Sequence, residues 1–266
     1  MDNFSFKKSL GQNFLQDNNV IHKIVDSANI DKNTLLIEVG PGGGALTEKM
    51  VPLAGNVLLY EADSRLEEHL NSLLRDYNNY KLILGDFLEA DLRKDISKYS
   101  YDKLYVVANL PYYITTPIIM KFIDEGVFPD KLVIMVQKEV AYRLSATVGS
   151  RDYGSLTVFL NYYYDVNKLF DVSRNCFVPK PNVDSAIVGM TLKKDRLVVK
   201  NMDLFKSLVR DSFLYKRKTL RNNLKTYDLA IVEKVLKKYN FDLSVRAEKL
   251  KLEIFVEIAN ELVNNN

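Results

Sequence analysis

The chain has 266 residues, 47% of them hydrophobic, which is enough for one large domain or for a main domain with a small appendage. Its longest aliphatic run, Leu132–Val136, is too short to span a bilayer, and Met1–Phe14 has no apolar core of signal-peptide length, so no membrane partner and a cytoplasmic location are expected. A single cysteine, Cys176, excludes an intramolecular disulfide, and the isolated His22 and His69 give no metal-ligand spacing, so no metal is expected. The net charge of +3 is unevenly placed: residues 196–266 carry 15 Lys/Arg against 9 Asp/Glu, whereas residues 1–195 carry 22 against 25. An excess of six cations in the tail fits a polyanionic partner, and it equally fits a solvated helical surface.

In chain order, Asp17 is placed to cap a first helix whose apolar positions Val20, Ile21, Ile24, Val25 and Ala28 recur at helical spacing. Strands are expected near 34–39, 57–61, 81–85, 103–108 and 131–137, with helices between them. That alternation is the rhythm of a parallel α/β sheet. No internal repeat is visible. A helix near 154–163 and strands near 166–172 and 183–192 end the sheet, and from about residue 200 the pattern is helical, over 203–213, 217–225, 229–239 and 248–263. In the region around the second of these tail helices, Phe213, Leu220 and Leu224 can form one face, and Arg217, Arg221 and Lys225 recur every four residues on another. The expected division is an α/β domain over 1–195 and a small basic all-α domain over 196–266.

Three segments carry chemistry. The first, Glu38-Val39-Gly40-Pro41-Gly42-Gly43-Gly44-Ala45, closes the first strand of the sheet and opens a helix, and its glycines let a ligand approach the backbone. Gly40, Gly42 and Ala45 also satisfy the Gly-x-Gly-x-x-Ala dinucleotide fingerprint, with Glu61 at the end of the next strand where a ribose-binding acid belongs. By spacing alone a nicotinamide cofactor stays open. Glu38, two residues before the first glycine, occupies a position that is usually apolar in dinucleotide sites and usually acidic in S-adenosylmethionine enzymes, and it favours the latter. Glu61 can then accept from both ribose hydroxyls, Asp86 in Leu84-Gly85-Asp86-Phe87 from the adenine amine, and Phe87 can pack on that ring.

The second segment is Asn109-Leu110-Pro111-Tyr112, which follows the strand-like run Tyr105–Ala108. The Asn109 side-chain oxygen and the Leu110 carbonyl can accept the two hydrogens of an exocyclic nucleobase amine, Pro111 stiffens the turn, and Tyr112 can stack on the extruded base. An adenine amine is a poor nucleophile because its lone pair is delocalised, so alignment matters more than a general base. Out of context the same four residues make an ordinary strand-ending turn. In the third segment, Phe177-Val178-Pro179-Lys180-Pro181-Asn182-Val183-Asp184-Ser185, Phe177 can supply the second face of a base sandwich, although the stretch also suits a plain proline-rich loop.

Together these residues resemble the small-subunit ribosomal RNA adenine dimethyltransferase family, which includes the bacterial KsgA enzymes. The resemblance also takes in Lys8-Ser9-Leu10-Gly11-Gln12-Asn13-Phe14-Leu15, Met135-Val136-Gln137-Lys138-Glu139-Val140, Tyr153-Gly154-Ser155-Leu156 and Lys216-Arg217-Lys218-Thr219-Leu220-Arg221-Asn222, so it spans nearly the whole chain. It implies a Rossmann-like S-adenosylmethionine-dependent methyltransferase sheet followed by an all-α domain. It further implies dimethylation of two adjacent adenosines in a hairpin loop near the 3′ end of 16S rRNA, within a precursor small subunit and late in its biogenesis. Matched position by position, the resemblance makes Asn13, Leu15, Gly40, Glu61, Asp86 and Asn109 the cofactor contacts, with Asn109 also holding the target amine between Tyr112 and Phe177. One departure stands out: where the family usually has Asn after the tyrosine, this chain has Tyr113. The erythromycin-resistance methyltransferases of large-subunit RNA are the near alternative, and a mainly non-enzymatic assembly factor is another. Nothing in the sequence demands more than a monomer.

Overall fold

The structure is a computed structural model that describes residues 13–264, so Lys8–Gln12 of the N-terminal motif lie outside the described residues. The chain forms two compact units: one runs through Ala141 and resumes over Asn167–Leu192, the other takes Tyr142–Val166 and continues from Lys193.

The first unit opens with β1 (Phe14–Leu15) and α1 (Asn18–Ala28). The Asp17 carboxylate caps α1, accepting from the N–H groups of Asn19 at 2.9 Å and Val20 at 3.2 Å, and Ile21, Ile24, Val25 and Ala28 bury the expected face. Five parallel strands follow: β2 (Thr34–Val39), β3 (Asn56–Glu61), β4 (Tyr80–Leu84), β5 (Lys103–Asn109) and β6 (Lys131–Gln137). Between them lie the helices α2 (Thr47–Met50), α3 (Glu67–Leu73), α4 (Leu92–Ile96) and α5 (Thr115–Asp124), and α6 (Lys138–Leu144) follows β6. The last elements of the sheet are β7 (Tyr164–Val172) and β9 (Ser185–Leu192), with β8 (Phe177–Val178) between them in sequence, and β9 runs antiparallel to β6. The strand order is β4-β3-β2-β5-β6-β9-β7. The chain therefore builds outward from β2 through β3 to β4, then returns to lay β5 on the other flank of β2. At such a reversal the loops leaving the two central strands diverge and open a crevice at their carboxyl ends. Apart from this Rossmann-type sheet, β8 pairs antiparallel with β1, with Leu15 opposite Phe177.

The second unit is helical. Its elements include α7 (Ser155–Tyr163), α8 (Met202–Ser212), α9 (Leu220–Asn223), α10 (Leu229–Lys238) and α11 (Leu252–Asn264), and α11 packs on α7, α8 and α10. The structure corrects one expectation here. The helix foreseen over 217–225 spans only Leu220–Asn223, so Arg217, Arg221 and Lys225 are all exposed but do not share a helix face. The cause is local. The buried Asn223 amide donates to the carbonyls of Ser212 at 2.7 Å and Tyr215 at 3.3 Å, and its oxygen accepts from the Tyr215 N–H. At the other end, the Leu220 and Arg221 N–H groups are taken by the carbonyls of Val245 and Leu243. Residues 214–218 are thus fixed as turns, while Leu220 and Leu224 still reach the core. No helix among the described residues is long and apolar enough to cross a membrane.

All six residues of β2 are buried, and one of them is Glu38, at 1% exposure. Its carboxylate accepts from the Thr47 hydroxyl at 2.7 Å, but burial dominates and pushes its pKa up to about 8, with the nearby Glu61 charge adding to the rise. A carboxyl that stays protonated in the folded state while the unfolded chain ionises near 4.5 contributes stability below that pH, and loses it as pH climbs through about 8. Glu38→Gln is therefore expected to match the parent protein in urea unfolding near pH 4.5 and to exceed it by a margin that widens up to about pH 8. A margin independent of pH would mean that Glu38 is already ionised in the folded protein.

Candidate active site

The crevice at the carboxyl ends of β2, β3, β4 and β5 holds a cavity of about 430 Å³. Asn13, Leu15, Gly40, Glu61, Asp86, Asn109, Leu110, Pro111 and Tyr112 all line it, so the structure gathers nearly every site residue singled out from the sequence.

The glycine segment leaves β2 through Gly40 at φ +71° and Gly42 at φ +56°, left-handed conformations that an L side chain rarely takes. Space is as restrictive as torsion: a Cβ on Gly42 would sit 2.8 Å from the Phe14 ring. The loop is held from below by Glu61, the last residue of β3, whose Oε2 accepts from the Gly42 N–H at 3.0 Å and Oε1 from the Asp63 N–H at 2.8 Å. Burial raises the Glu61 pKa, and these two N–H groups oppose the rise by favouring the charged form. A carboxylate offers about four lone-pair directions. Two of them face the Gly42 and Asp63 N–H groups, the Ala62 N–H also favours the charged form, and the carboxylate lines the cavity.

Asp86 follows β4 and is exposed, with Oδ1 accepting from the Leu88 N–H at 2.9 Å. This is an ordinary turn role, and Asp86 lines the cavity as well. Phe87 lines the cavity but is 3% exposed, with its ring set edge-on to Tyr60 at 5.1 Å and tilted against Phe122 at 5.5 Å. It therefore forms part of the wall, with little of its ring open to a ligand.

On the opposite wall Asn109 is the last residue of β5. Its Nδ2 donates to the Asn13 carbonyl at 3.2 Å, leaving Oδ1 without a partner among the described residues. The next N–H, of Leu110, is spent on the Met135 carbonyl at 3.2 Å, which continues the pairing with β6 into the turn. The Pro111 carbonyl accepts from the Ile114 N–H and the Thr115 hydroxyl, both at 3.2 Å, so the turn passes directly into α5. The Tyr112 hydroxyl lies 2.6 Å from the Ser185 Oγ at the start of β9, and burial holds this phenol above its ordinary pKa. Its ring is fixed at both ends, by the turn and by β9.

Phe177 is not brought to the cavity. It is 2% exposed, belongs to the buried core and lies opposite Leu15 in the β1–β8 pairing. Expected to face Tyr112 across a base, it instead belongs to the buried core cluster that includes Leu15, Ile21, Val25 and Val172. Conversely, sequence reasoning gave no role to Ser185 beyond its place in the third segment, since a serine at the head of a strand carries no signal of its own. No group of three or more His, Cys, Asp or Glu side chains among the described residues is placed to hold a metal ion.

Comparison with known proteins agrees with this geometry. The family model described as "Ribosomal RNA adenine dimethylase" matches residues 3–264. A "Ribosomal RNA small subunit methyltransferase A" of Streptococcus thermophilus is 46% identical, covering 97% of this chain and 92% of the relative, and one of Bacillus pumilus is 44% identical over the same shares. Among solved structures, a dimethyladenosine transferase from Plasmodium falciparum superposes with a TM-score of 0.80 at 28% identity, covering 94% of this chain and 98% of that one. The 23S rRNA methyltransferase ErmE superposes at 0.75 over 94% of this chain and all of its own, but at 24% identity it speaks to the fold alone. With its family match running almost end to end and its site assembled at the reversal of a Rossmann-type sheet, the chain belongs to the ribosomal RNA adenine dimethylase family and is a methyltransferase.

Proposed function

We propose that this protein transfers methyl groups from S-adenosylmethionine to N6 of two adjacent adenosines in a hairpin loop near the 3′ end of 16S rRNA, acting on a late precursor of the small subunit. The observation that carries the reading is the Asn109 amide, whose nitrogen is tied to Asn13 and whose free oxygen stands beside a cavity floored by glycines. The small-subunit target is supported by the names of the curated relatives, at 44–46% identity over nearly the full chain.

The cavity fits the cofactor by its donor set: backbone that only glycine allows, a buried Glu61 carboxylate held on the cavity wall, and an exposed Asp86. When bound, S-adenosylmethionine supplies an electrophilic methyl group on a sulfonium. Glu61 would hold the ribose hydroxyls, Asp86 the adenine amine, and Gly40 with Asn13 and Leu15 the remaining wall. The protein's own work is on the acceptor side. Asn109 Oδ1 and the Leu110 carbonyl accept the two amine hydrogens and so turn the nitrogen lone pair out of conjugation, toward the cofactor side of the cavity. Tyr112 stacks on the extruded base, which offsets an unstacking cost of a few kcal/mol with about 1–3 kcal/mol per base. Phe177 acts indirectly, as the buried residue against which the strand carrying Leu15 is registered. The domain from residue 196 onward, with Arg217, Arg221 and Lys225 exposed, is assigned to RNA phosphates in a protein that works as a monomer in the cytoplasm.

Three experiments check this. With labelled cofactor, label should enter 16S RNA of precursor small subunits. Label in 23S RNA instead would move the protein to the erythromycin-resistance type. Asn109→Ala should lower transfer on the order of a hundredfold or more, the scale of losing one preorganised hydrogen bond to a reacting group. The same variant should keep its affinity for precursor subunits, because the phosphate contacts lie in the other unit. If it no longer bound subunits while remaining folded, catalysis and assembly would not be separable. Replacing Arg217, Arg221 and Lys225 together should weaken subunit binding and flatten its salt dependence by about 0.7–0.9 in log–log slope for each phosphate no longer neutralised. An unchanged slope would make these three residues ordinary solvated side chains.

A further inference from the structure

The two tyrosines after Pro111 serve opposite sides of the site. Tyr112 is bonded to Ser185 on β9, which lies beyond β6 on one flank of β5. Tyr113 lines the same cavity as Glu61 and Asp86, which end β3 and follow β4 on the other flank. The ring is 58% exposed, so packing does not account for an aromatic at this position. Its phenol is held above its ordinary pKa by partial burial first and then by the charges of Asp86 and Glu61, with which it shares the cavity wall. Phe87, the other aromatic on this side, has its ring engaged by Tyr60 and Phe122.

We infer that Tyr113 is a cofactor-contacting residue that stacks on the adenine of S-adenosylmethionine, covering the face that Asp86 and Glu61 leave open to solvent. The inference rests on the reading of Glu61 as the ribose ligand and Asp86 as the adenine ligand. An amine held by Asp86 and hydroxyls held by Glu61 fix the edge and the sugar of the nucleoside, but neither acid covers the flat of the ring, and an exposed aromatic at the mouth can. The target base is left to Tyr112 alone.

The test is calorimetry of the full chain with S-adenosylhomocysteine, comparing the parent protein with Tyr113→Phe and Tyr113→Asn, alongside binding of each to precursor small subunits in the absence of cofactor. Tyr113→Phe keeps the ring and should bind within about twofold of the parent. Tyr113→Asn should bind about tenfold more weakly, equivalent to about 1.4 kcal/mol. Subunit binding should not change in either. Equal affinity of all three for S-adenosylhomocysteine overturns the inference while leaving the site reading intact. Loss in Tyr113→Phe as well would assign the contact to the hydroxyl and overturn stacking, and a loss confined to subunit binding would place the ring on the RNA side. A parent protein that binds no S-adenosylhomocysteine would sink the cofactor reading itself.

Discussion

The site depends on one buried carboxylate. Glu61 takes the N–H of Gly42 on one oxygen and that of Asp63 on the other, which fastens the loop after β2 to the end of β3. Hydrogen bonds to a charged acceptor contribute about 1.5–3 kcal/mol each, more than neutral ones, and here they also set geometry. With Gly42 fixed, the Phe14 ring rests against it from the β1 side, and a Cβ on Gly40 would lie 3.8 Å from the Pro111 ring. The glycine loop is therefore enclosed by three segments far apart in sequence: the β1 strand, the end of β3 and the Asn-Leu-Pro-Tyr turn.

Sheet order makes that enclosure possible. Because β5 returns to the flank of β2, the residue that ends β5 and the loop that leaves β2 become neighbours across the reversal. The same geometry sorts the chemistry by flank, with acids on β3 and after β4 on one side and the Tyr112–Ser185 contact toward β9 on the other. Asn109 stands between them, its amide nitrogen bonded to Asn13 and its oxygen free among the described residues. On the proposed reading, an acceptor held in this way needs no reorganisation when the target amine arrives, and a poorly nucleophilic amine gains most from that.

Much of this was legible in the sequence because it was written in short, strong signals. The strands β2 to β6 stand within a residue of their expected places, and Asp17 caps α1 as its spacing implies. The glycine segment and Asn109 sit at strand ends, where an apolar run meets turn residues. What was not legible depends on distant partners. Strand order follows from packing rather than periodicity, and a two-residue pair such as β1 and β8 has no period to read. The four-residue recurrence of Arg217, Arg221 and Lys225 suggested a helix face, but Asn223 and the 243–245 carbonyls impose turns that propensity does not encode. Phe177 was expected beside the target base, but it is packed in a core cluster whose other members, such as Leu15 and Ile21, come from the far end of the chain.

The proposed modification of two adjacent adenosines of small-subunit RNA can be checked in the cell. It is tested most directly by mass mapping of ribosomal RNA from cells that lack the protein. Two neighbouring adenosines near the 3′ end of 16S RNA should lack their methyl groups in those cells and regain them when the protein is resupplied. Intact dimethylation in those cells, or a loss that maps to large-subunit RNA, would contradict it.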